Sequence, residues 1–250
     1  MAEKNLDFDT VIDRTHTNSL KYDFAVQRGK PMDVLPLWVA DMDFQVSSYI
    51  QEALSGSVAH GIFGYSEAEG SYFQAVAGWM SRHYGWNVEE TWLVKTPGIV
   101  FALAQAVRAF TEPGDAVLLQ QPVYYPFSQV IRDNGRKIVD NTLVQGEDGR
   151  YRIDFADFEE KIRSCKVKLF FLCNPHNPVG RVWTREELLR LGDICEKYGV
   201  IVVSDEIHAD FVFEGSHQVL VGLKESYRKF VGTCTAPSKT FNLAGMKTSN

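Results

Sequence analysis

Little in this sequence suits a disulfide-stapled, membrane-spanning or nucleic-acid-binding chain. Four of its 250 residues are cysteine (Cys165, Cys173, Cys195 and Cys234), and none stand in CxxC spacing. Three of them, Cys165 excepted, fall within or beside apolar runs, which reads as reduced, buried thiols and against a disulfide framework or a metal site. No apolar run approaches the ~20 residues that cross a bilayer, and Met1–Asp7 is too polar and acidic for a signal peptide. Basic residues are outnumbered, 26 Lys and Arg against 32 Asp and Glu, for a formal net charge of −6; that leaves no electrostatic footprint for nucleic acid. There is no internal repeat and no low-complexity linker. What remains is a globular composition, 45% hydrophobic and 23% charged, enough for one large domain or two small ones and expected to be soluble and cytoplasmic.

Residues 1–36 carry few apolar residues in no clear period and read as an arm. Leu37–Phe44 is apolar but interrupted by Asp41 and Asp43, and reads as a short strand leading into a helix capped by Asp43 or Ser47. Residues 47–60 fit an amphipathic helix, 61–65 a turn, and Ser66 with Glu69 a capping box opening a helix to about Tyr84. From Trp92 strands and helices alternate. Strands are expected at Trp92–Lys95, Ala116–Gln120, Lys137–Asp140, Lys168–Cys173, Val200–Ser204 and Phe230–Cys234. Helices are expected at Ile99–Phe110, Tyr125–Asp133, Asp154–Arg163 and from the Thr184/Glu187 box to Tyr198, with a Gly-rich hairpin before Asp154. Strands alternating with helices argue for an α/β fold with a mainly parallel sheet covered on both faces. The unbroken apolar runs Leu169–Leu172 and Val200–Val203 agree, since both faces of such strands are buried.

In open α/β sheets ligands bind beyond the carboxyl ends of the strands, and the chemically suggestive residues cluster just there. Asp205 directly follows its strand; it reads either as a helix N-cap or as a carboxylate answering a cationic partner. Lys239 follows the run Phe230–Cys234 at a short distance. Most lysines are surface charges, but a strand ending in Asp and another leading to Lys is the pairing a pyridoxal phosphate (PLP) site needs, an amine for a Schiff base and a carboxylate for the ring nitrogen. Asn174-Pro175-His176-Asn177-Pro178-Val179-Gly180 is a rigid turn that could aim Asn177 at a ligand oxygen, or be a turn and nothing more. Gly98 sits at a strand-to-helix junction where free N–H groups attract anions. Tyr124 and Tyr125 are either core aromatics or a stacking platform. His176 and His208 read as ordinary hydrogen-bonded histidines on position alone.

Four stretches together carry a family resemblance: Leu37–Phe44, Cys173–Gly180, Ser204-Asp205-Glu206-Ile207-His208 and Ser238-Lys239-Thr240-Phe241-Asn242-Leu243-Ala244-Gly245. In this order they resemble the fold-type I PLP enzymes of the class I/II aminotransferase superfamily, and within it the MalY/PatB-type carbon–sulfur β-lyases. The resemblance covers essentially the whole chain and implies a three-layer α/β/α PLP-dependent transferase-like large domain over 37–250, preceded by the 1–36 arm. It implies Lys239 as the Schiff-base lysine, Asp205 at the pyridine nitrogen, Asn177 and His208 at the ring hydroxyl, and Tyr124 stacked on the ring. Gly98, Ile99 and Val100 would cradle the phosphate, with Ser238 and Lys247 beside it. Tyr65 resembles a tyrosine that reaches the phosphate of a neighbouring subunit, which implies a homodimer, and Ala40 would line the substrate pocket. Ala236 stands where relatives often carry a serine. The family continues into a C-terminal small domain bearing the arginine for the substrate carboxylate, so the chain is expected to lack that domain.

The resemblance implies a C–S β-lyase that turns cystathionine or another cysteine S-conjugate into pyruvate, ammonia and a thiol. The same lysine would serve an aminotransferase working with a 2-oxo acid. A third reading, a PLP-domain regulator that acts by partner binding, does not need the Lys239, Asp205 and Asn177 set.

Overall fold

The computed structural model describes residues 7–250; the first six residues of the expected arm, and most of the stretch judged against a signal peptide, lie outside them. By internal contacts the chain forms two compact units. One is Met1–Glu67 with Pro237–Met246, the other Ala68–Ala236 with Lys247–Asn250.

The larger unit is built on a five-stranded, wholly parallel sheet. Its strands are β1 (Ala116–Leu119), β2 (Lys137–Asp140), β5 (Leu169–Cys173), β6 (Ile201–Asp205) and β7 (Val231–Cys234), in the order β2-β1-β5-β6-β7. Strands β3 (Val144–Gln145) and β4 (Tyr151–Arg152) form the expected small hairpin. The pleat sends alternate residues to opposite faces, and each face meets its own helices. Leu118, Phe170, Leu172 and Val202 pack with α5 (Phe155–Cys165) and α6 (Arg185–Tyr198). Val117, Leu119, Leu169, Phe171 and Val203 pack with α3 (Ile99–Phe110) and α4 (Pro126–Asp133). The three-layer α/β/α arrangement therefore follows from the unbroken apolar strands.

Local chemistry sets the ends of these helices. Asp154 caps α5 by accepting from the N–H groups of Ala156 and Asp157, and Thr184 with Glu187 forms the expected reciprocal box at α6. The Ser66/Glu69 box does not form: α2 (Gly70–Tyr84) begins after an extended Glu69 with no side-chain cap. Trp92–Lys95 is not a strand either. Glu90–Trp92 winds into a 3-10 turn, and the nearby backbone pairs only at Thr96, in an antiparallel bridge to Ser249.

In the smaller unit the expected strand at Leu37–Phe44 is absent, because its two carboxylates are occupied by cations rather than facing a sheet. Arg14 donates to Asp41 at 2.5 Å and to Asp43 at 2.6 Å, Lys21 donates to Asp43 at 3.0 Å, and the Tyr22 hydroxyl to Asp43 at 3.1 Å. Asp43 is thus not a helix cap; Ser47 holds that position for α1 (Ser48–His60), without a side-chain bond. The 47–60 region is helical as expected, but none of α1 is buried, so its apolar stripe faces no core within this unit. No helix of the described residues is long and apolar enough to cross a membrane.

Candidate active site

The carboxyl edge of the sheet gathers the candidates of the larger unit. Asp205 ends β6, in register with Cys173 of β5 on one side and Cys234 of β7 on the other. It is buried, and its Oδ1 accepts the Ile207 N–H at 3.1 Å. No helix directly follows β6, so Asp205 is not the helix N-cap weighed for it; its bond to Ile207 closes a local turn and fixes the carboxylate's direction. The negative charge is felt by its neighbours. Burial, with Asp205 adding to it, pushes the Cys173 and Cys234 thiols far above their ordinary range. The same two causes, together with Tyr125, raise the Tyr124 phenol.

The β5 and β1 ends are tied to this point through the main chain. The Asn174 N–H donates to the Asp205 carbonyl at 2.9 Å, and the Tyr124 N–H donates to the Asn177 carbonyl at 3.0 Å. The Asn177 N–H in turn donates to Cys173 Sγ at 3.3 Å. In the Asn-Pro-rich turn the Asn174–Pro175 and Asn177–Pro178 bonds are cis, and His176 and Arg181 pair across it. His176 is structural. It is buried with Nε2 3.0 Å from the Pro122 carbonyl, and burial lowers its pKa to about 4, so it is neutral at pH 7. His208 lies half-buried beyond β6, its ring edge-on to Phe211 at 6.3 Å. The Tyr124 ring is partly exposed and 5.4 Å from that of Tyr125.

Helix α3 starts at Gly98, whose φ of +109° is closed to residues with a side chain. Nothing lies within 4 Å of where a Cβ would point, so the glycine answers the backbone angle and not a lack of space. Gly98 offers no side-chain cap, which leaves the start of α3, at Ile99 and Val100, as a cluster of main-chain donors with the helix dipole behind it. The Gly98 N–H donates to Ser249 Oγ at 3.0 Å. Ile99 is buried on the same sheet face as Cys173, Val203 and Cys234. Lys247, also in this unit, is exposed with φ +49°.

The smaller unit holds the remaining candidates. Its Lys239 amine donates to the Ala40 carbonyl at 3.4 Å, so two residues 199 apart in sequence meet. Asn242, three residues after the lysine, accepts from the Met42 N–H and donates to the Met42 and Phe44 carbonyls, all at 2.9–3.0 Å. The stretches Leu37–Phe44 and Ser238–Gly245 are thereby laced together. Ser238 is half-buried, and Tyr65 is fully exposed in an irregular segment.

Sequence reasoning did not single out the buried pair of Glu206 and His217, 2.7 Å apart. The only signal was two adjacent acids at a strand end, which reads equally well as a surface turn.

The chemistry of the larger unit's edge fits PLP: a buried carboxylate suits a cationic ring nitrogen, a half-open aromatic suits a planar ring, and an uncapped helix start suits a phosphate. The family model for aminotransferase class I and II matches residues 33–248. Cystathionine beta-lyase PatB of Bacillus subtilis is 47% identical over 98% of this chain and 63% of its own length. Cystalysin from Treponema denticola, solved with its pyridoxal 5'-phosphate cofactor, superposes with a TM-score of 0.92 at 39% identity, covering 98% of this chain and 63% of that one. The PLP-bound C-S lyase from Staphylococcus hominis does so with a TM-score of 0.91 at 35% identity, covering 98% and 62%. The chain therefore spans somewhat less than two thirds of the length of these relatives. By its fold, its motifs and this similarity, the chain belongs to the class I and II aminotransferase family.

Proposed function

We propose that the intact protein is a PLP-dependent carbon–sulfur β-lyase acting on cystathionine or a related cysteine S-conjugate to give pyruvate, ammonia and a thiol. The reading is carried by the buried Asp205 carboxylate at the sheet's carboxyl edge, between the ends of β5 and β7, with Asn177 and Tyr124 tied to it through the main chain. The likeness to a cystathionine beta-lyase over 98% of the chain supplies the reaction class.

Bound PLP would supply an electron sink for the pair left when the substrate loses its Cα proton. The work of the chain's own residues divides as follows. Lys239 would hold the cofactor, and its free amine would take the substrate's Cα proton as general base. Asp205, ionised, keeps the ring nitrogen protonated. Asn177 and His208 serve the ring hydroxyl, and Tyr124 covers one ring face. The main-chain donors at Gly98, Ile99 and Val100, with Ser238 and Lys247, take the phosphate. Ala40 borders the substrate pocket, next to the lysine whose amine its carbonyl accepts.

Tyr65 contributes to the phosphate site of a second copy in this reading, which makes the working protein a homodimer. Its full exposure supports that role, as do Leu37, Ile62 and Phe63, which are exposed in the same unit. The arm at 1–36 and the cofactor domain at 37–250 remain the proposed domain division, and a cytoplasmic location the proposed setting.

Transamination is the second reading, favoured by a family named for aminotransferases and by 29% identity to an aspartate aminotransferase of Sulfolobus acidocaldarius over 89% of the chain. The test is to incubate the full-length protein with cystathionine and, separately, with an amino acid plus 2-oxoglutarate, and to map borohydride-fixed pyridoxyl. Pyruvate and thiol without added keto acid, with the label on Lys239, are expected. Glutamate formation without thiol would make the transaminase reading correct, and label on Lys95 or Lys247 would overturn the assignment of Lys239.

A further inference from the structure

Beneath the candidate site runs a closed loop of buried polar contacts with no place in the chemistry above. Asp205 and Glu206 are adjacent, and the pleat turns their side chains to opposite faces. Asp205 goes with Cys173 and Cys234 toward the α3/α4 side. Glu206 goes with Ser204 toward the other side, where Leu220 is part of the core. The Glu206 carboxylate is completely buried, which is costly without partners. Its Oε2 lies 2.7 Å from His217 Nε2, and its Oε1 accepts the Ser204 hydroxyl at 2.8 Å and the Leu220 N–H at 3.4 Å. Its own N–H donates to the Cys234 carbonyl at 2.9 Å.

The segment that brings His217 continues the loop. The Gln218 carbonyl accepts the Asn174 side-chain amide at 3.0 Å, and the Asn174 N–H donates to the Asp205 carbonyl at 2.9 Å. The circuit Asp205, Glu206, His217, Gln218, Asn174 and back to Asp205 is closed by covalent or hydrogen bonds at every step. Asn174 begins the turn that ends at Asn177, and both Asn174 and His217 are buried. The ring edge of Tyr84 packs against His217 at 5.3 Å, which steadies the imidazole from α2.

We propose that Glu206, His217 and Asn174 are positioning residues. Acting through the main chain, they hold the end of β6 and the Asn-Pro turn in the register that aims the Asp205 carboxylate and the Asn177 amide. None of the three is given a contact with cofactor or substrate. The inference rests on the PLP reading of Asp205 and Asn177.

The experiment uses the full-length protein with PLP itself as probe. Affinity is read by equilibrium dialysis, the visible absorption band of the bound form by spectroscopy, and the melting temperature on the PLP-free protein. His217→Phe leaves Glu206 without its imidazole and should weaken PLP binding about tenfold, the lower end of what removing a group that orients a ligand costs, and shift the band. Asn174→Ala opens the circuit at its other link and should move affinity and band the same way. His217→Gln returns an N–H donor toward Glu206 and should restore most of both. A network that only stabilises the fold would lower the melting temperature and leave affinity and band at the parent's values; that result overturns the inference. So does a change in one of the two opening variants without the other. Should His217→Phe fail to fold, the comparison of Asn174→Ala with His217→Gln decides by the same criteria. If the parent protein takes up no PLP at all, the PLP reading falls, and this inference with it.

Discussion

Replacing Asp43 by Asn tests how the segment bearing Ala40 is held. Asp43 receives Arg14 at 2.6 Å, Lys21 at 3.0 Å and the Tyr22 hydroxyl at 3.1 Å. A hydrogen bond to a charged group is worth about 1.5–3 kcal/mol when shielded. The Asp43 side chain is 39% exposed, however, while that of Lys21 is only 7% exposed, so solvent screens part of the gain. The variant keeps a hydrogen-bonding side chain and leaves Lys21 with the Asp41 carbonyl at 3.0 Å and its carboxylate at 3.9 Å. The net loss at pH 7 should be about 1–2 kcal/mol. The pH dependence follows from the folded-state carboxyl. Burial alone would raise its pKa, but the hydrogen bonds from Arg14, Lys21 and Tyr22 outweigh burial and lower it. A lowered carboxyl contributes stability that is fully present above the unfolded pKa of about 3.9 and is lost as pH falls through the lower folded value. The gap between parent and variant should therefore hold from pH 7 to 5 and close below about pH 4. Hydrogen exchange at the Met42 amide, which donates to Asn242 Oδ1 at 2.9 Å, reads the effect locally. An equal exchange rate in both proteins at pH 7, or a gap unchanged at pH 3, would refute the reasoning.

Substitutions at Gly192, Gly56 and Tyr65 test other parts of the structure. A Cβ on Gly192 would lie 2.4 Å from Cζ of the fully buried Tyr227, so Gly192→Ala should destabilise by about 1–3 kcal/mol despite the better helix propensity of Ala. Gly56→Ala in α1, with nothing within 4 Å, should stabilise by up to ~1 kcal/mol; urea midpoints that rank the two the other way would contradict the packing. In the full-length protein Tyr65→Phe should weaken PLP binding, and dilution to monomer should weaken it in the parent; a monomer with undiminished affinity, seen by sedimentation and dialysis, would remove Tyr65 from the site.

The parallel sheet was legible because its strands are buried on both faces. Leu169–Cys173 and Val202–Asp205 are buried throughout, so their apolar runs are unbroken and end where chemistry begins. Helix α6 was legible at its start because Thr184 and Glu187 satisfy each other within four residues. What could not be read depends on distant partners. Trp92–Lys95 has the composition of a strand, but strand identity is conferred by a neighbour's backbone, and only Thr96 finds one, in Ser249. Leu37–Phe44 reads as a strand until Arg14 and Lys21 claim its carboxylates. Ser66 and Glu69 have the spacing of a box, yet α2 starts one residue beyond Glu69. Asp205, Asn177, Gly98 and Tyr124 could be named because each follows directly on a strand or turn signal. Their mutual arrangement could not, since it runs through main-chain bonds such as Tyr124 to Asn177 and Asn174 to Asp205.

The acidic pair at the end of β6 illustrates how a buried strand can end in two charges. Side by side on one face, Asp205 and Glu206 would repel each other, and both would be desolvated. The two-residue period of the strand separates them instead. Glu206 is answered within the fold by His217, Ser204 and the Leu220 N–H. Asp205 accepts the Ile207 N–H, and its charge adds to burial in raising Cys173, Cys234 and Tyr124, while Glu206 does the same to Cys234 and Tyr84. On the α3/α4 face, the Asp205 carboxylate is suited under the proposed function to holding a proton on a bound ring nitrogen. On the other face Glu206, bonded to an imidazole, a hydroxyl and an amide, is suited to holding the backbone still. In the proposed reading the same local sequence thus yields one group for chemistry and one for geometry, divided by which side of the sheet each faces.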